Sequence, residues 1–301
     1  MALAAFMFIS AAGQEKRMAV VDFSTSYLRL EPDYEAPLET MELMGTVVEI
    51  VGQHRYWREV ITPQPYRAWC TDMGLIEMTS DELAAYKAAP KVMYTGLYGH
   101  VHMKPSSKSA TVCDLVGGDL MRVVRKKGAW TEVMLPSGKT GFVPSKELKA
   151  HEGFISVAQG GKFEGGMPDR TKDKVIEEAM KLLGAPYLWG GMSSKGVDCS
   201  GLVRICHIMN GILLPRNASQ QINCGTAVDF KNLDNLRRGD LVFFGSPAKE
   251  PGGKPRVTHV AIYIGGGEII HSSHCVRINS LVEGRENYYS GAKRMVGAVR
   301  L

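Results

Sequence analysis

Two stretches of this chain repeat one order of short apolar runs and turns. The repeat confines the N-terminal half to small β-rich units. In the first copy the runs cover residues 46–51, 56–61 and 66–70; in the second they cover 120–124, 129–134 and 139–143. Each copy has a Trp-x-x-Val strand in the middle, Trp57-Arg58-Glu59-Val60 and Trp130-Thr131-Glu132-Val133, and an aromatic-bearing strand after it. Short strands at this spacing suggest a small barrel in each copy. Together they form a degenerate internal duplication. Between them, residues 80–90 predict a short helix, capped by Ser80 or Asp81 and stopped by Pro90. The expected boundaries are 17–80 for the first unit, 81–90 for a helical connector and 91–150 for the second unit.

Beyond residue 150 the pattern changes. Gly160-Gly161 and Gly165-Gly166 mark a linker over 151–168. Thr171 then opens a helix with Val175, Ile176, Ala179, Met180, Leu182 and Leu183 on one face, stopped by Gly184. A second helix is expected over 199–210, ended by Gly211. Strands follow at 241–244, 257–264 and 268–272, and Gly265-Gly266-Gly267 joins the last two as a hairpin. Helices first and antiparallel strands after give an α+β domain over 169–301.

Composition narrows the function classes. The 301 residues are 45% hydrophobic and 22% charged, an ordinary globular balance, and the net charge of +5 is mild. The densest basic run, Arg122 to Lys127, has no aromatic platform beside it, so nucleic acid is not an expected partner. The six cysteines are scattered without a CxxC pair, which argues against a disulfide framework or a structural zinc site. Residues 1–13 are apolar and end in small residues. They have the look of a signal peptide without its basic start, so export to the periplasm or cell envelope is expected, with a cytoplasmic location as the alternative. No stretch is long enough to span a membrane.

Cys199 carries the chemistry. It stands in Val197-Asp198-Cys199-Ser200-Gly201-Leu202-Val203, where a glycine-rich loop turns into a helix. The positive end of the helix dipole is expected to favour its thiolate, the nucleophilic form. On the first strand of the hairpin, His259 shares a face with Ala261 and Tyr263, while Val260, Ile262 and Ile264 take the other. Antiparallel pairing across the glycine turn brings His271 near His259. A cysteine, a histidine to take its proton and a second polar residue to orient that histidine make a nucleophilic triad. A zinc site is the competing use of the same three residues, but deaminase sites of that kind need a CxxC pair and an HxE, both missing. No cofactor or metal is expected.

These motifs carry a resemblance. Pro186-Tyr187-Leu188-Trp189-Gly190-Gly191, the Cys199 segment, Leu214-Pro215-Arg216 with Gln220, Arg238-Gly239-Asp240-Leu241, Thr258-His259-Val260-Ala261 and Ile270-His271-Ser272 follow in order. Together they resemble the NlpC family of papain-like cell-wall cysteine peptidases, over residues 165–301. The two duplicated units resemble bacterial SH3-like domains. The implied fold is a papain-like catalytic domain preceded by two small all-β SH3-like barrels.

The resemblance implies Cys199 as nucleophile, His259 as general base and His271 as its orienter. It implies Tyr187, with the Cys199 backbone amide, as support for the oxyanion. The whole chain is similar to the γ-D-glutamyl-L-diamino-acid endopeptidases, the dipeptidyl-peptidase VI type. These cut peptidoglycan stem peptides that bear a free N-terminal L-Ala. In that subgroup acidic groups hold the L-Ala ammonium, partly from the first SH3-like unit. Asp198 and Ser200 fit that pocket. Asn217 and Ala218 stand where related enzymes often carry Asp followed by Ser or Ala, so one charge is missing there. Glu31 and Tyr66 are the candidates from the first unit, with Glu39 and Glu59 still open. A surface charge and a barrel aromatic are the plainer readings of Glu31 and Tyr66. An endopeptidase on intact wall and a non-catalytic wall-binding protein remain the alternatives, and the sequence does not choose between Lys and diaminopimelate.

Overall fold

The computed structural model describes residues 16–63, 65–157, 166–250 and 252–301. The leader-like residues 1–13 and most of the glycine-rich stretch lie outside the described residues. The first unit comprises β1 (Arg17–Val21), β2 (Thr25–Arg29), β3 (Leu38–Leu43), β4 (Val47–His54), β5 (Trp57–Ile61), β6 (Arg67–Thr71) and β7 (Leu75–Met78). They form a seven-stranded sheet in the order β3-β2-β6-β5-β4-β1-β7. Helix α1 (Ser80–Ala88) leads to β8 (Lys91–Tyr94), β9 (Tyr98–His102), β10 (Thr111–Val116), β11 (Leu120–Lys127), β12 (Trp130–Met134), β13 (Thr140–Pro144) and β14 (Leu148–His151). Their order is β10-β9-β13-β12-β11-β8-β14, the first order over again. The duplication is therefore one of topology as well as of pattern.

Two expectations are corrected here. The cap of α1 is Thr79, whose hydroxyl accepts from the Glu82 N–H while the Glu82 carboxylate accepts from the Thr79 N–H, 2.9 Å. Ser80 and Asp81 sit inside the helix, because this reciprocal pair satisfies two orphan donors at once. The sheets are also not closed barrels. β3 and β7 end the first sheet, and β10 and β14 end the second. An edge strand covered by another part of the chain needs no seam. The edge strand β3 lies against the C-terminal segment, where the Met192 N–H reaches Met41 Sδ at 3.4 Å.

The C-terminal segment contains β15 (Ile155–Ser156), α2 (Asp169–Lys181), β16 (Met192–Ser193), β17 (Gly196–Val197), α3 (Cys199–Ile208), β18 (Ile212–Leu213), α4 (Ala218–Gln221) and β19 (Thr226–Ala227). After these come β20 (Leu241–Ser246), β21 (Arg256–Gly265), β22 (Glu268–Ser273), β23 (Cys275–Ser280) and β24 (Met295–Arg300). Six of these strands form an antiparallel sheet, β19-β24-β20-β21-β22-β23. One face of it, with Phe243, Val260, Ile262 and Ile270, shares a core with α2 and α3. The other face, with Phe244, Ala261, Tyr263 and Ile269, has a core of its own. Gly265, Gly266 and Gly267 all take positive φ, which is how the β21–β22 turn closes. No helix among the described residues is long and apolar enough to cross a membrane.

The larger core does not stop at the unit boundaries. Met41 and Leu43 of the first unit and Met93, Val116 and Leu120 of the second join it. Polar ties run alongside. Lys195 Nζ bridges Ser24 Oγ at 2.9 Å and Asp114 Oδ2 at 2.7 Å, so one ammonium connects all three segments.

Candidate active site

Every residue of α3 is buried. A helix covered all round must have its polar ends satisfied internally. Asp198 does this at the N-terminus. Its Oδ1 accepts from the Gly201 N–H at 2.7 Å and its Oδ2 from the Gly190 N–H at 3.0 Å. Ser200 Oγ donates to Oδ1 at 3.1 Å. The Arg216 guanidinium, only 2% exposed, then grips both carboxylate oxygens in a bidentate pair. Its Nη1 also reaches Ser200 Oγ at 3.0 Å, and its Nε reaches Thr40 Oγ1 of β3 at 2.8 Å. One buried arginine thus joins the helix cap to the first unit.

Two glycines make this packing possible. A Cβ on Gly201 would sit 2.0 Å from the Gly191 carbonyl oxygen. A Cβ on Gly190, at φ +74°, would sit 2.9 Å from the Leu38 carbonyl oxygen of β3.

Cys199 is the first residue of α3 and retains 8% exposure. Its sulfur is met by the backbone N–H groups of Val260 and Ser200. Even so, burial pushes the thiol up to about 11, with the Asp198 charge adding to the rise and the two N–H groups and Arg216 opposing it. Burial and the Asp198 charge thus act against the thiolate that the helix end is expected to favour.

Val260 follows His259. On β22, His271 continues the Ile262↔Ile270 register and falls diagonal to His259. His259 Nε2 and His271 Nδ1 are 2.7 Å apart, and His271 Nε2 lies 2.9 Å from Asn279 Oδ1 on β23. Tyr289 stands edge-on to His271 with ring centres 4.7 Å apart and tilted to His259 at 5.9 Å, within electrostatic reach of Cys199. Burial first, then the neighbouring His271 and Arg294, hold His259 down at about 3. Burial holds His271 down at about 4, against the pull of Asn279. Both imidazoles are therefore neutral at physiological pH.

Tyr187 is partly exposed, and burial, the Cys199 charge and the Asp198 charge push its phenol up to about 12. From the first unit, Tyr66 donates to Glu39 Oε2 at 2.6 Å and is also hydrogen-bonded by Asn217. Asn217 directly precedes α4, Ala218 is its first residue, and the Asn217 N–H donates to Gln220 Oε1 at 3.1 Å. Tyr66, Glu39 and Asn217 therefore meet beside Arg216. Glu31 stands on the exposed turn between β2 and β3 and makes none of these contacts.

Sequence reasoning missed Asn279 and Tyr289, since their relevance depends on strand register. It also quoted Arg216 without a role. An arginine after Leu213-Leu214-Pro215, an apolar run, was the available signal of a buried cation in need of a carboxylate.

Residues 184–299 match the NlpC/P60 family. A γ-D-glutamyl-L-lysine dipeptidyl-peptidase of Bacillus cereus is 29% identical over 269 residues, 85% of this chain and 75% of the relative. Dipeptidyl-peptidase 6 of Lysinibacillus sphaericus is 27% identical over 289 residues, 93% of this chain and 98% of the relative. The crystal structure of an NlpC/P60 family protein from Bacillus cereus superimposes with a TM-score of 0.75 at 25% identity, covering 94% of this chain and 99% of that one. With Cys199, His259 and His271 all inside the matched span, residues 184–299 form an NlpC/P60 family domain.

Proposed function

We propose that this chain is a cysteine peptidase that cleaves the bond between D-Glu and a diamino acid in peptidoglycan stem peptides bearing a free N-terminal L-Ala. The two seven-stranded units are read as SH3-like modules, the first of which caps the catalytic cleft. The observation that carries this reading is the Glu39–Tyr66–Asn217 cluster. It brings a carboxylate from the first unit to the chain just ahead of α4. A carboxylate and a phenol oxygen suit an ammonium group, and a site closed at that end admits a peptide terminus rather than a continuing chain. Asp198, whose charge is shared with Arg216, shapes this pocket together with Ser200.

In the reaction, His259 removes the thiol proton of Cys199 as the sulfur attacks the γ-carbonyl carbon. The Cys199 amide N–H and the Tyr187 hydroxyl face the developing oxyanion. His259 then delivers the proton to the departing amine as the C–N bond breaks, leaving a thioester. Water, deprotonated by His259, releases the acid and restores the thiol.

Kinetics on L-Ala-γ-D-Glu-L-Lys test the cap. Glu39→Gln is expected to raise KM by roughly tenfold or more with little change in kcat, the loss of one charged contact. An unchanged KM would remove Glu39 from the site.

A further inference from the structure

We propose that Asn279 is a positioning residue that fixes which nitrogen of His259 carries the proton. The inference rests on the peptidase reading for its kinetic consequence, but not for its structural content. The relay is anchored at a backbone carbonyl. Asn279 Nδ2 donates to the Asn287 carbonyl oxygen at 2.8 Å. A carbonyl only accepts, so the amide orientation of Asn279 is fixed and its Oδ1 faces His271. Oδ1 also only accepts, so the proton of neutral His271 sits on Nε2, 2.9 Å away. His271 Nδ1 is then a lone pair, and it accepts from His259 Nε2–H at 2.7 Å. Neutral His259 is left with an unprotonated Nδ1, the nitrogen available as a base.

The direction of the His259–His271 relay is thus set by the Asn287 carbonyl. Without Asn279, His271 has no acceptor to choose its tautomer. It can then donate from Nδ1 and force His259 to place its proton on the wrong nitrogen. The charged and titratable groups facing the relay are Arg277, the cross-strand partner of His271, Arg294 and Tyr289, with Cys199 in electrostatic reach of Tyr289. The two arginines only donate, so neither replaces Asn279 as an acceptor.

Two measurements test this on the full chain. Long-range ¹H–¹⁵N NMR of the wild-type protein near neutral pH reads histidine tautomers directly, without any variant or substrate. Both His259 and His271 are expected as Nε2–H tautomers; an Nδ1–H form of either would overturn the proposal. Kinetics on L-Ala-γ-D-Glu-L-Lys form the second arm. Asn279→Ala is expected to lower kcat roughly 10- to 100-fold with KM nearly unchanged, the usual scale for a partner that orients a reacting group. Asn279→Asp keeps an acceptor toward His271, and is expected to recover much of kcat with the acid limb of the pH profile moved upward by the new charge. Wild-type kcat in Asn279→Ala would overturn the positioning role. If the wild-type protein left the tripeptide intact, the peptidase reading would fail while the NMR result still decided the relay.

Discussion

At the scale of single residues, burial favours the neutral forms of Cys199, His259 and His271. Burial raises the Cys199 thiol to about 11 and lowers the His259 and His271 imidazoles to about 3 and 4. Cys199→Ala is expected to cut tripeptide hydrolysis by roughly 10⁴-fold or more, read by product formation, since it removes the proposed nucleophile. Burial of neutral histidines has a second consequence. His207, His259 and His271 all have folded values near 3 to 4, below the unfolded value near 6.5. Between those limits the unfolded chain binds protons that the folded chain refuses. Stability is therefore present above pH ~6.5 and is lost as pH falls through that window. Thermal unfolding from pH 7 to pH 4 is expected to show Tm falling by roughly 5 °C or more. A Tm constant over that range would contradict the neutral assignments.

At the scale of elements, legibility followed periodicity. Strands β20, β21 and β22 and helix α3 were readable because they carry apolar runs with glycines near their ends. The His259–His271 approach came from the hairpin they form. Strand β3 was not readable. Leu38-Glu39-Thr40-Met41-Glu42-Leu43 is half polar with no clean alternation, yet Thr40, Met41 and Glu42 are all buried. The polar face is covered because Thr40 meets Arg216 and Glu42 faces Arg204 at 3.6 Å, partners far along the chain. Only the assembled fold supplies them. Removing one such partner is expected to be costly: Arg216→Met leaves Asp198 buried without its counter-charge, at about 3–5 kcal/mol in chemical denaturation. Thr40→Val removes a single hydrogen bond and should cost about 1 kcal/mol. Gly201→Ala, stabilising in an open helix, is expected to destabilise here because the added carbon meets the Gly191 carbonyl.

At the scale of the molecule, the duplication was legible but its use was not. Both copies keep the same strand order, so the repeat in the sequence reported a repeat in topology. Which copy lies against Arg216 depended on which edge docks. That is β3 of the first unit, through contacts a linear pattern does not encode. Glu31 and Glu39 are alike on paper, and only the second lies on the docked strand. A chain lacking residues 1–79 is expected to unfold at a Tm lower by roughly 10 °C or more, since Met41 and Leu43 leave the shared core. An unshifted Tm would mean the units are energetically independent. The account as a whole meets its most direct test in mass-spectrometric product analysis of L-Ala-γ-D-Glu-L-Lys, free and N-acetylated. The expected result is release of lysine from the free-amine peptide by the wild-type protein, and little from its acetylated form or by Cys199→Ala. Equal cleavage of both peptides, or cleavage that survives loss of the sulfur, would contradict a capped cysteine peptidase.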